Sequence, residues 1–317
     1  MSNTLHTPVL VKEVLLVLSP VSGDSLLDAT IGHGGHARAY LTATEPAGTV
    51  LGFDADPAAL AIARQQLQAY GDRVRFVESS FSQLKDSVLG GGILQTEGPP
   101  MFSHILFDLG IGSHQLGDTS RGFSFASPGP LTMAYGKLQR LPAAQLESLN
   151  SLERHLGYLP DAADILRGLA KSDLVELITF YGEERYARRV ASAIKRSLPI
   201  TTAKHLAEVI EEALPGAYEH GRLHPATRTF QALRLAVNRE LESLAAALPQ
   251  AVDLLKVGGV LAVISFHSLE DRIVKQFFRS RKGELEIATK KPIRASQEEI
   301  RENPRSRSAR LRAAKKS

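Results

Sequence analysis

Short apolar runs rich in β-branched residues recur through the first third of the chain and predict buried strands. In the segments between the first few of these runs, apolar residues follow helical spacing. In residues 58–70, for example, Leu60, Ala63 and Leu67 share one face. Strands that alternate with helices indicate an α/β fold with a right-handed, doubly wound parallel sheet. The predicted strands are residues 25–29, 49–54, 74–77 and 104–109.

Three of these strands carry an aspartate at their carboxyl ends: Asp28, Asp54 and Asp108. Ligands of doubly wound sheets bind at that edge. We therefore expect the three carboxylates to mark a ligand site.

The alternation stops after Asp108. Residues 112–218 contain no convincing strand pattern. A loop rich in Gly, Ser and Pro covers residues 110–136, and largely helical patterns follow over residues 142–158 and 161–214. This stretch is predicted to be a helical domain.

The strand rhythm resumes with a long predicted helix, residues 226–248, followed by a strand over residues 260–265. The helical domain is thus inserted between the fourth and fifth strands, and we interpret it as a substrate-binding domain. The basic, low-complexity sequence after Arg279 is expected to be irregular. The predicted division is a core at residues 1–111, the insertion at 112–218, the rest of the core at 219–280 and a basic C-terminal segment at 281–317.

Composition narrows the class of protein. Hydrophobic residues make up 43% and charged residues 23% of the chain, which is typical of globular proteins. Cysteine is absent, which excludes disulfides and thiolate metal sites. The apolar stretch at residues 9–18 is short and contains Lys12 and Glu13, so it suits neither a signal peptide nor a membrane span. We expect a soluble cytoplasmic protein with no membrane partner.

Charge is unevenly distributed along the chain. The net charge is +4, but residues 272–317 carry 15 Lys or Arg against 5 Asp or Glu, which leaves the remainder acidic. A basic segment on an acidic body favours docking on an anionic polymer, and nucleic acid fits best. The alternative is a solvated tail that aids solubility.

A glycine-rich turn follows the first predicted strand, in the run from Asp28 to His36. Glycines allow close approach of a ligand, and the next helix offers free N–H donors. The spacing matches neither the dinucleotide fingerprint nor a P-loop. Asp54, suited to the ribose hydroxyls, and the turn at Gly258-Gly259 raise the case for a nucleoside cofactor without a phosphate cradle, S-adenosylmethionine. Asp56, before Pro57, suits a helix N-cap.

Two further groups of polar residues have both a functional and a structural interpretation. Arg228, Gln231, Arg234 and Asn238 form a polar stripe on one predicted helix, which is either a site or a structural buttress. His267 lies among Ser, Glu, Asp and Arg residues just past the fifth strand, where a site role competes with a structural one.

Other patterns carry less weight. A basic helical face is either solvated or in contact with phosphate; it comprises Arg185, Arg188, Arg189, Lys195 and Arg196. His33 and His36 lack the spacing of a metal-binding helix, so we expect no catalytic metal.

Taken together, several long and ordered motifs resemble the RsmH (MraW) family of small-subunit ribosomal RNA cytidine-N4 methyltransferases. The resemblance covers nearly the whole chain. It is carried by residues 6–10, 28–36, 53–57, 108–110, 121–125, 182–185, 224–234, 265–272 and 303–309. It implies a class I S-adenosylmethionine-dependent methyltransferase fold, a Rossmann-like doubly wound sheet with an inserted all-helical domain.

The resemblance also implies an activity and a set of site residues. The activity is methyl transfer from S-adenosyl-L-methionine to N4 of a decoding-centre cytidine, position 1402 of 16S rRNA, with the small ribosomal subunit rather than DNA as partner. Asp108 is the first candidate for the group that accepts an amine hydrogen, and His267 is the second. The implied cofactor contacts are Gly34, Gly35, His36, Asp54, Phe81, Asp108 and Gln115.

The sequence departs from the family pattern in two loops. Gly112 and His114 replace Ser and Pro, and Thr132, Ala134 and Gly136 replace an Asp, an Arg and a second Asp. Two alternatives to the rRNA reaction therefore stay open: methyl transfer to another RNA or to a protein, and a ribosome-assembly factor that keeps the cofactor site but has weakened turnover. The oligomeric state, a homodimer included, is also open.

Overall fold

The computed structural model describes residues 7–90, 101–135, 160–216, 218 and 223–317, which fall into two compact units. The sheet unit contains the chain up to Gly110 and from Leu241 onward, and the helical unit spans Ile111–Glu240. Within the described ranges, no helix is both long and apolar enough to cross a membrane.

Seven strands form one sheet in the order β3-β2-β1-β4-β5-β7-β6. The first five are parallel, and β7 runs antiparallel to both β5 and β6. This order confirms the predicted doubly wound α/β sheet. The strands are β1 Ser25–Asp28, β2 Thr49–Asp54, β3 Val74–Glu78, β4 Phe102–Asp108, β5 Leu255–Ser265, β6 Leu285–Ile287 and β7 Arg310–Lys316.

Helices cover both faces of the sheet and build the helical unit. In chain order they are α1 Val11–Leu18, α2 Gly35–Ala43, α3 Pro57–Gln66, α4 Leu84–Gly90, α5 Ser113–Gly117, α6 Ala162–Gly168, α7 Lys171–Gly182, α8 Ala187–Arg196, α9 Ala203–Ala213, α10 Thr227–Asn238, α11 Glu240–Leu254, α12 Ser268–Ser280 and α13 Gln297–Glu302.

Successive strand residues are buried on opposite faces of the sheet. Leu26 belongs to the apolar cluster that includes Tyr40 and Leu41 of α2. Leu27, the next residue, belongs to the cluster that includes Leu244 and Leu248 of α11. Since both faces are covered, the strands read as continuous apolar runs, as parallel strands do.

The start of α3 follows from two neighbouring residues. The side chain of Asp56 accepts a hydrogen bond from the Ala58 N–H, and Pro57 occupies the first helical position. Both choices suit a helix N-terminus, because Asp satisfies an otherwise free donor and Pro has none to lose. The predicted N-cap role of Asp56 is confirmed.

The helical unit has a core of its own. Fully buried residues of α8, α9 and α10, among them Ile194, Leu206 and Leu233, pack in one cluster. In its described ranges this unit has helices and a single isolated bridge, between Pro130 and Thr202. The helical prediction for residues 161–214 agrees with α6 to α9, whereas residues 142–158 lie outside the described part.

The single long helix predicted over residues 226–248 is wrong. The chain forms two helices, α10 and α11, separated at Arg239, whose φ of 48° is left-handed. The apolar residues of α10 belong to the core of the helical unit, while those of α11 belong to the sheet core. The helical unit accordingly extends to Glu240, beyond the predicted boundary at residue 218.

The expectation of an irregular chain after Arg279 is also wrong. Strand β7 pairs with β5 from Arg310 to Lys315, and Leu311 and Ala313 on it are fully buried. The side chain of Arg312 is buried as well, with hydrogen bonds of 2.7 and 3.2 Å to the two carboxylate oxygens of Asp271. The high content of basic residues therefore conceals a strand in which basic and apolar positions alternate from Arg310 to Ala313.

Replacing Arg312 by alanine should strongly destabilise the sheet unit. Asp271 would keep its charge in a largely buried setting, and removing one partner of a buried ion pair costs about 3 kcal/mol. The loss is measured as the free energy of unfolding in urea. Arg281→Ala is the control, because its pair with Glu284 is exposed and contributes under about 1 kcal/mol. Equal losses of unfolding free energy in the two variants would contradict a structural role for the ion pair between Arg312 and Asp271.

Candidate functional site

Three aspartates end three adjacent strands of the sheet. Asp28 closes β1, and it lies opposite Gly52 of β2 and Leu106 of β4. Asp54 and Asp108 are the last residues of those two neighbouring strands. The structure thus brings the three predicted carboxylates to one edge, as the parallel order requires.

The turn after β1 is held by its own backbone. The Ile31 N–H donates to the Phe53 carbonyl of β2, and the Gly34 N–H donates back to the Ile31 carbonyl. Gly34 has a φ of 83°, and a Cβ on it would lie 2.8 Å from Cδ1 of Leu67. A Cβ on Gly35 would lie 2.8 Å from Cγ of Pro8. Glycine is needed here for packing as well as for any ligand, which the sequence did not reveal.

Asp54 ties this turn to the second strand. One carboxylate oxygen accepts the Gly32 N–H at 3.0 Å, and the other accepts the Asp56 N–H at 2.8 Å. Each carboxylate oxygen can accept a further hydrogen bond. A half-buried carboxylate oriented in this way suits the two hydroxyls of a ribose.

His36 and Asp108 form a buried pair beside this turn. His36, in the first turn of α2, is 7% exposed, and its Nε2 lies 3.4 Å from Oδ2 of Asp108. Burial by itself lowers the pKa of His36, but the close contact and charge of Asp108, with the charges of Asp28 and Glu299, raise that pKa above its ordinary value. The neighbouring carboxylates therefore favour the charged form of the imidazole.

Asp28 is the most deeply buried of the three acids. Burial raises the pKa of its carboxyl group to about 7, despite the opposing charge of His36 and a hydrogen bond from the Thr30 N–H. The charges of Asp108 and Asp54 act in the same direction as burial. Thr30 also accepts the Asp108 N–H at its hydroxyl, so one residue links the two strand ends.

Several buried polar atoms at this edge have no hydrogen-bond partner in the part of the chain that the structure describes. They are Oδ1 of Asp108 and both ring nitrogens of His36. Buried polar groups are nearly always hydrogen-bonded, so an unmatched acceptor needs a reason. A ligand that carries N–H or O–H donors would supply one. Among the described residues, no group of three His, Asp or Glu side chains could hold a metal ion.

Phe81 follows the carboxyl end of β3, which is the outermost strand on this side of the sheet. Its half-buried ring meets Phe107 edge to face, with 5.8 Å between the centroids. The hydroxyl of Ser80 accepts the Ser82 N–H and shapes this short turn. The arrangement offers an aromatic surface, and packing against adenine stays a prediction.

Two predicted site residues have structural partners that sequence reasoning missed. Gln115 belongs to the helical unit, where its Oε1 accepts the Gly112 N–H at 2.9 Å. His267 is the N-cap of α12: its Nδ1 accepts the Glu270 N–H, while Glu270 accepts the His267 N–H in return. The spacing of three residues between them is that of a capping box and could have signalled this role. The catalytic assignment of His267 stays a prediction.

The polar stripe on α10 makes contacts within the helical unit. The guanidinium of Arg234 donates two hydrogen bonds to Glu240, and Asn238 bonds the backbone of Met133 and Tyr135. These bonds favour the buttress interpretation of the stripe. They also hold the loop around Thr132, which departs from the family pattern. The Thr132 hydroxyl donates to the Arg121 carbonyl.

On the basic face, Lys195 is set apart from the arginines. Its ammonium group donates to the Leu166 carbonyl, and burial lowers its pKa. The other members are exposed; they are Arg185, Arg188, Arg189 and Arg196. Gly136 lies outside the described residues.

The chain matches the model of the MraW methylase family over residues 3–156 and 157–317. A protein from Geobacter sp. (strain M21), named Ribosomal RNA small subunit methyltransferase H, is 42% identical over 336 positions, and the match covers 100% of both chains. A protein of the same name from Thermomicrobium roseum is 43% identical, covering 99% of this chain and 94% of the relative.

Solved structures resemble the chain more weakly. An rRNA methylase from Streptococcus thermophilus aligns with a TM-score of 0.44 at 9% identity, covering 99% of each chain. An O-methyltransferase described as SAM-dependent, from Thermotoga maritima, gives a TM-score of 0.42 at 8% identity, covering 99% of this chain and 68% of the other.

Replacing Asp28 by asparagine should change how stability depends on pH. An unfolded aspartate loses its proton near pH 3.8, whereas Asp28 in the folded chain loses it near pH 7. Wild-type stability is therefore undiminished by this group below about pH 4 and falls as the pH rises towards 7. The asparagine variant lacks this loss, so it should gain at least about 1 kcal/mol relative to wild type over that range.

Urea unfolding at several pH values between 4 and 8 measures this difference. Asp253→Asn serves as the matched control, because it removes a half-exposed carboxylate that pairs with Lys85 at the surface of the same unit. Parallel stability curves for wild type and Asp28→Asn would show that Asp28 ionises normally.

Proposed function

The chain belongs to the MraW methylase family, and from that premise we propose that it methylates small-subunit ribosomal RNA with S-adenosylmethionine as methyl donor. It is a methyltransferase, and its seven-stranded sheet with one antiparallel strand is the class I methyltransferase fold. The specific target in this proposal is N4 of the decoding-centre cytidine, position 1402 of 16S rRNA. Full-length similarity to relatives with that enzyme name supports an rRNA substrate.

The structural observation that carries the proposal is the unmatched acceptor at Asp108. A strand-end carboxylate with one oxygen held near His36 and the other buried and unpaired suits a substrate that presents N–H donors. The exocyclic amine of cytosine is such a group. The same edge carries Asp54, and together the two carboxylates provide for a nucleoside and for an amine.

S-adenosylmethionine, when bound, supplies a methyl group on a positively charged sulfur. Asp54 would hold the ribose, and Phe81 would contact the adenine. The turn would contribute Gly34, Gly35 and His36, although the Gly34 N–H already donates to Ile31, so its contact would use other atoms. Gln115, which belongs to the helical unit, stays a predicted cofactor contact.

The amine of cytosine is a poor nucleophile because its lone pair is delocalised into the ring. Asp108 Oδ1 would accept a hydrogen bond from the amine and so raise the electron density on nitrogen, and it would take up the proton released on methylation. His36 lies beside the other oxygen of Asp108 and would orient it through Nε2. His267 remains the second candidate for the proton acceptor.

The target base has to leave its stack to reach a buried carboxylate, at a cost of a few kcal/mol. Contacts with the RNA backbone would offset that cost. We assign them to the helical unit, as the substrate-binding domain, with the exposed arginines of its basic face, and to the basic tail at residues 303–317. The cytoplasm, where ribosomal subunits are modified, is the proposed location.

Asp54→Ala should weaken the binding of S-adenosylmethionine by about one hundredfold. The variant loses the hydrogen bonds to both ribose hydroxyls, each worth about 1.5 kcal/mol with a charged acceptor, and tenfold in affinity is about 1.4 kcal/mol. Calorimetry with purified protein measures the change. Asp253→Ala removes a half-exposed carboxylate of the same unit and should bind as wild type does. Unchanged affinity in Asp54→Ala would refute the ribose contact.

Deleting the gene should abolish N4 methylation of the decoding-centre cytidine, as read by mass spectrometry of rRNA fragments. Wild-type protein supplied from a plasmid should restore the modification. Asp108→Asn should not restore it under limiting expression, because loss of a general base lowers turnover by about 10²–10⁴-fold. If the modification persists after deletion, the enzyme hypothesis fails, and the departures at Thr132 and Ala134 then favour the assembly-factor alternative.

A further inference from the structure

Arg310 lies at the same edge of the sheet as the candidate site. It is the first residue of β7 and pairs with Ser265, the last residue of β5. On the other side of β5, Asp108 of β4 pairs with Ile264. Since neighbouring strands are about 4.8 Å apart, the backbones of Arg310 and Asp108 are separated by about 10 Å.

The guanidinium of Arg310 is poorly matched by its neighbours. Its Nε is buried and has no hydrogen-bond partner in the described part of the chain. Its Nη1 lies 3.9 Å from Oδ2 of Asp271, too far for a hydrogen bond. Asp271 instead accepts both of its short hydrogen bonds from Arg312. The two arginines on one face of β7 thus differ: Arg312 is neutralised, and Arg310 keeps donors without acceptors.

Arg310 is also within reach of a ligand from solvent. Its side chain is 26% exposed, against 9% for Arg312. An arginine presents a planar fork of donors that matches two oxygens of a phosphate. A phosphate at this place would satisfy the buried Nε and balance the charge.

The chain just before Arg310 is held against the cofactor turn. The amide of Asn303 donates to the Thr7 carbonyl, and Glu299 accepts the Leu10 N–H at 2.7 Å. Pro8, between those two residues, is the one that a Cβ on Gly35 would meet. The exposed Arg307 also lies on this segment, three residues before Arg310.

We propose that Arg310 and Arg307 bind phosphate groups of the RNA strand beside the target nucleotide. This inference rests on the proposed rRNA substrate. Arg310 forms the inner contact, next to the strand ends, and Arg307 forms an outer one. Together they hold the strand at the carboxyl edge while the base occupies the site.

The test compares methyl transfer to small subunits isolated from the deletion strain. Arg310→Gln should raise KM for subunits roughly tenfold, in line with the loss of one charge-assisted contact, and leave kcat nearly unchanged. The slope of log affinity against log salt should fall by about 0.7, the value for one phosphate contact with a single strand. Arg310→Lys should restore the slope and recover KM in part, because it keeps the charge without the fork.

Arg281→Gln is the matched control. It removes one cation from the far end of α12, where Arg281 pairs with the exposed Glu284, and it should leave KM and the salt slope as in wild type. Arg307→Gln should raise KM with a loss of slope similar to that of Arg310→Gln. Its exposed side chain makes it a valid test even if Arg310→Gln does not fold.

The outcomes separate this inference from the proposed function. If wild-type protein does not methylate subunits, the proposed function fails. If wild type is active but neither glutamine variant changes KM or the salt slope, the phosphate contacts are refuted. If Arg310→Gln weakens S-adenosylmethionine in calorimetry and leaves KM for subunits unchanged, Arg310 binds the cofactor instead, and the inference is overturned.

Discussion

The crowding of three acidic side chains at one sheet edge is the constraint on which the candidate site depends. Carboxylates on adjacent strands repel one another, and burial penalises each charge. Each acid is accommodated differently: Asp54 accepts two backbone N–H groups, Asp28 has a raised pKa, and Asp108 lies beside His36. All of these partners except the Asp56 N–H come from the glycine turn and the first turn of α2. The glycine turn therefore stabilises the neighbouring carboxylates in addition to any role in ligand binding. A change in its shape would remove the contacts that stabilise Asp54 and Asp108.

That turn in turn depends on chain segments far apart in sequence. Pro8 packs where a side chain on Gly35 would lie, and the backbone that follows Pro8 is held by Glu299 of α13. Leu10 adopts a left-handed φ of 54°, an unfavourable conformation for leucine that the bond to Glu299 helps to hold. The charge of Glu299 also contributes to the raised pKa of His36. The C-terminal segment is thus part of the sheet edge that carries the candidate site.

These dependencies explain how much the sequence could predict. The parallel strands, the aspartates at their ends and the Asp56 cap follow from local patterns, because each is a property of a few consecutive residues. The break at Arg239 could not be predicted in this way, because the helical spacing of apolar residues continues through it. The turn is needed because α10 packs in the core of the helical unit and α11 packs in the sheet core. Strand β7 was missed because its two buried alanines are flanked by an arginine and two lysines, and the partners of these cations, such as Asp271, lie elsewhere in the chain. The capping role of His267 was missed for a different reason: a capping pair and a catalytic pair can have the same residue types, and its catalytic role stays a prediction.

Positive charge is not distributed evenly within the C-terminal segment. A count of lysines and arginines treats the C-terminal segment as uniform, but its cations differ according to what surrounds them. Arg312 is matched by Asp271 and stabilises the sheet, and Lys316 is matched by the carbonyls of Val252 and Leu255. In the proposed function, cations left without matched acceptors at the carboxyl edge would attract an anionic strand to the acids that are proposed to act on its base. Such cations also offset the repulsion between RNA phosphates and the carboxylates, which a nucleic-acid enzyme with an acidic site has to overcome.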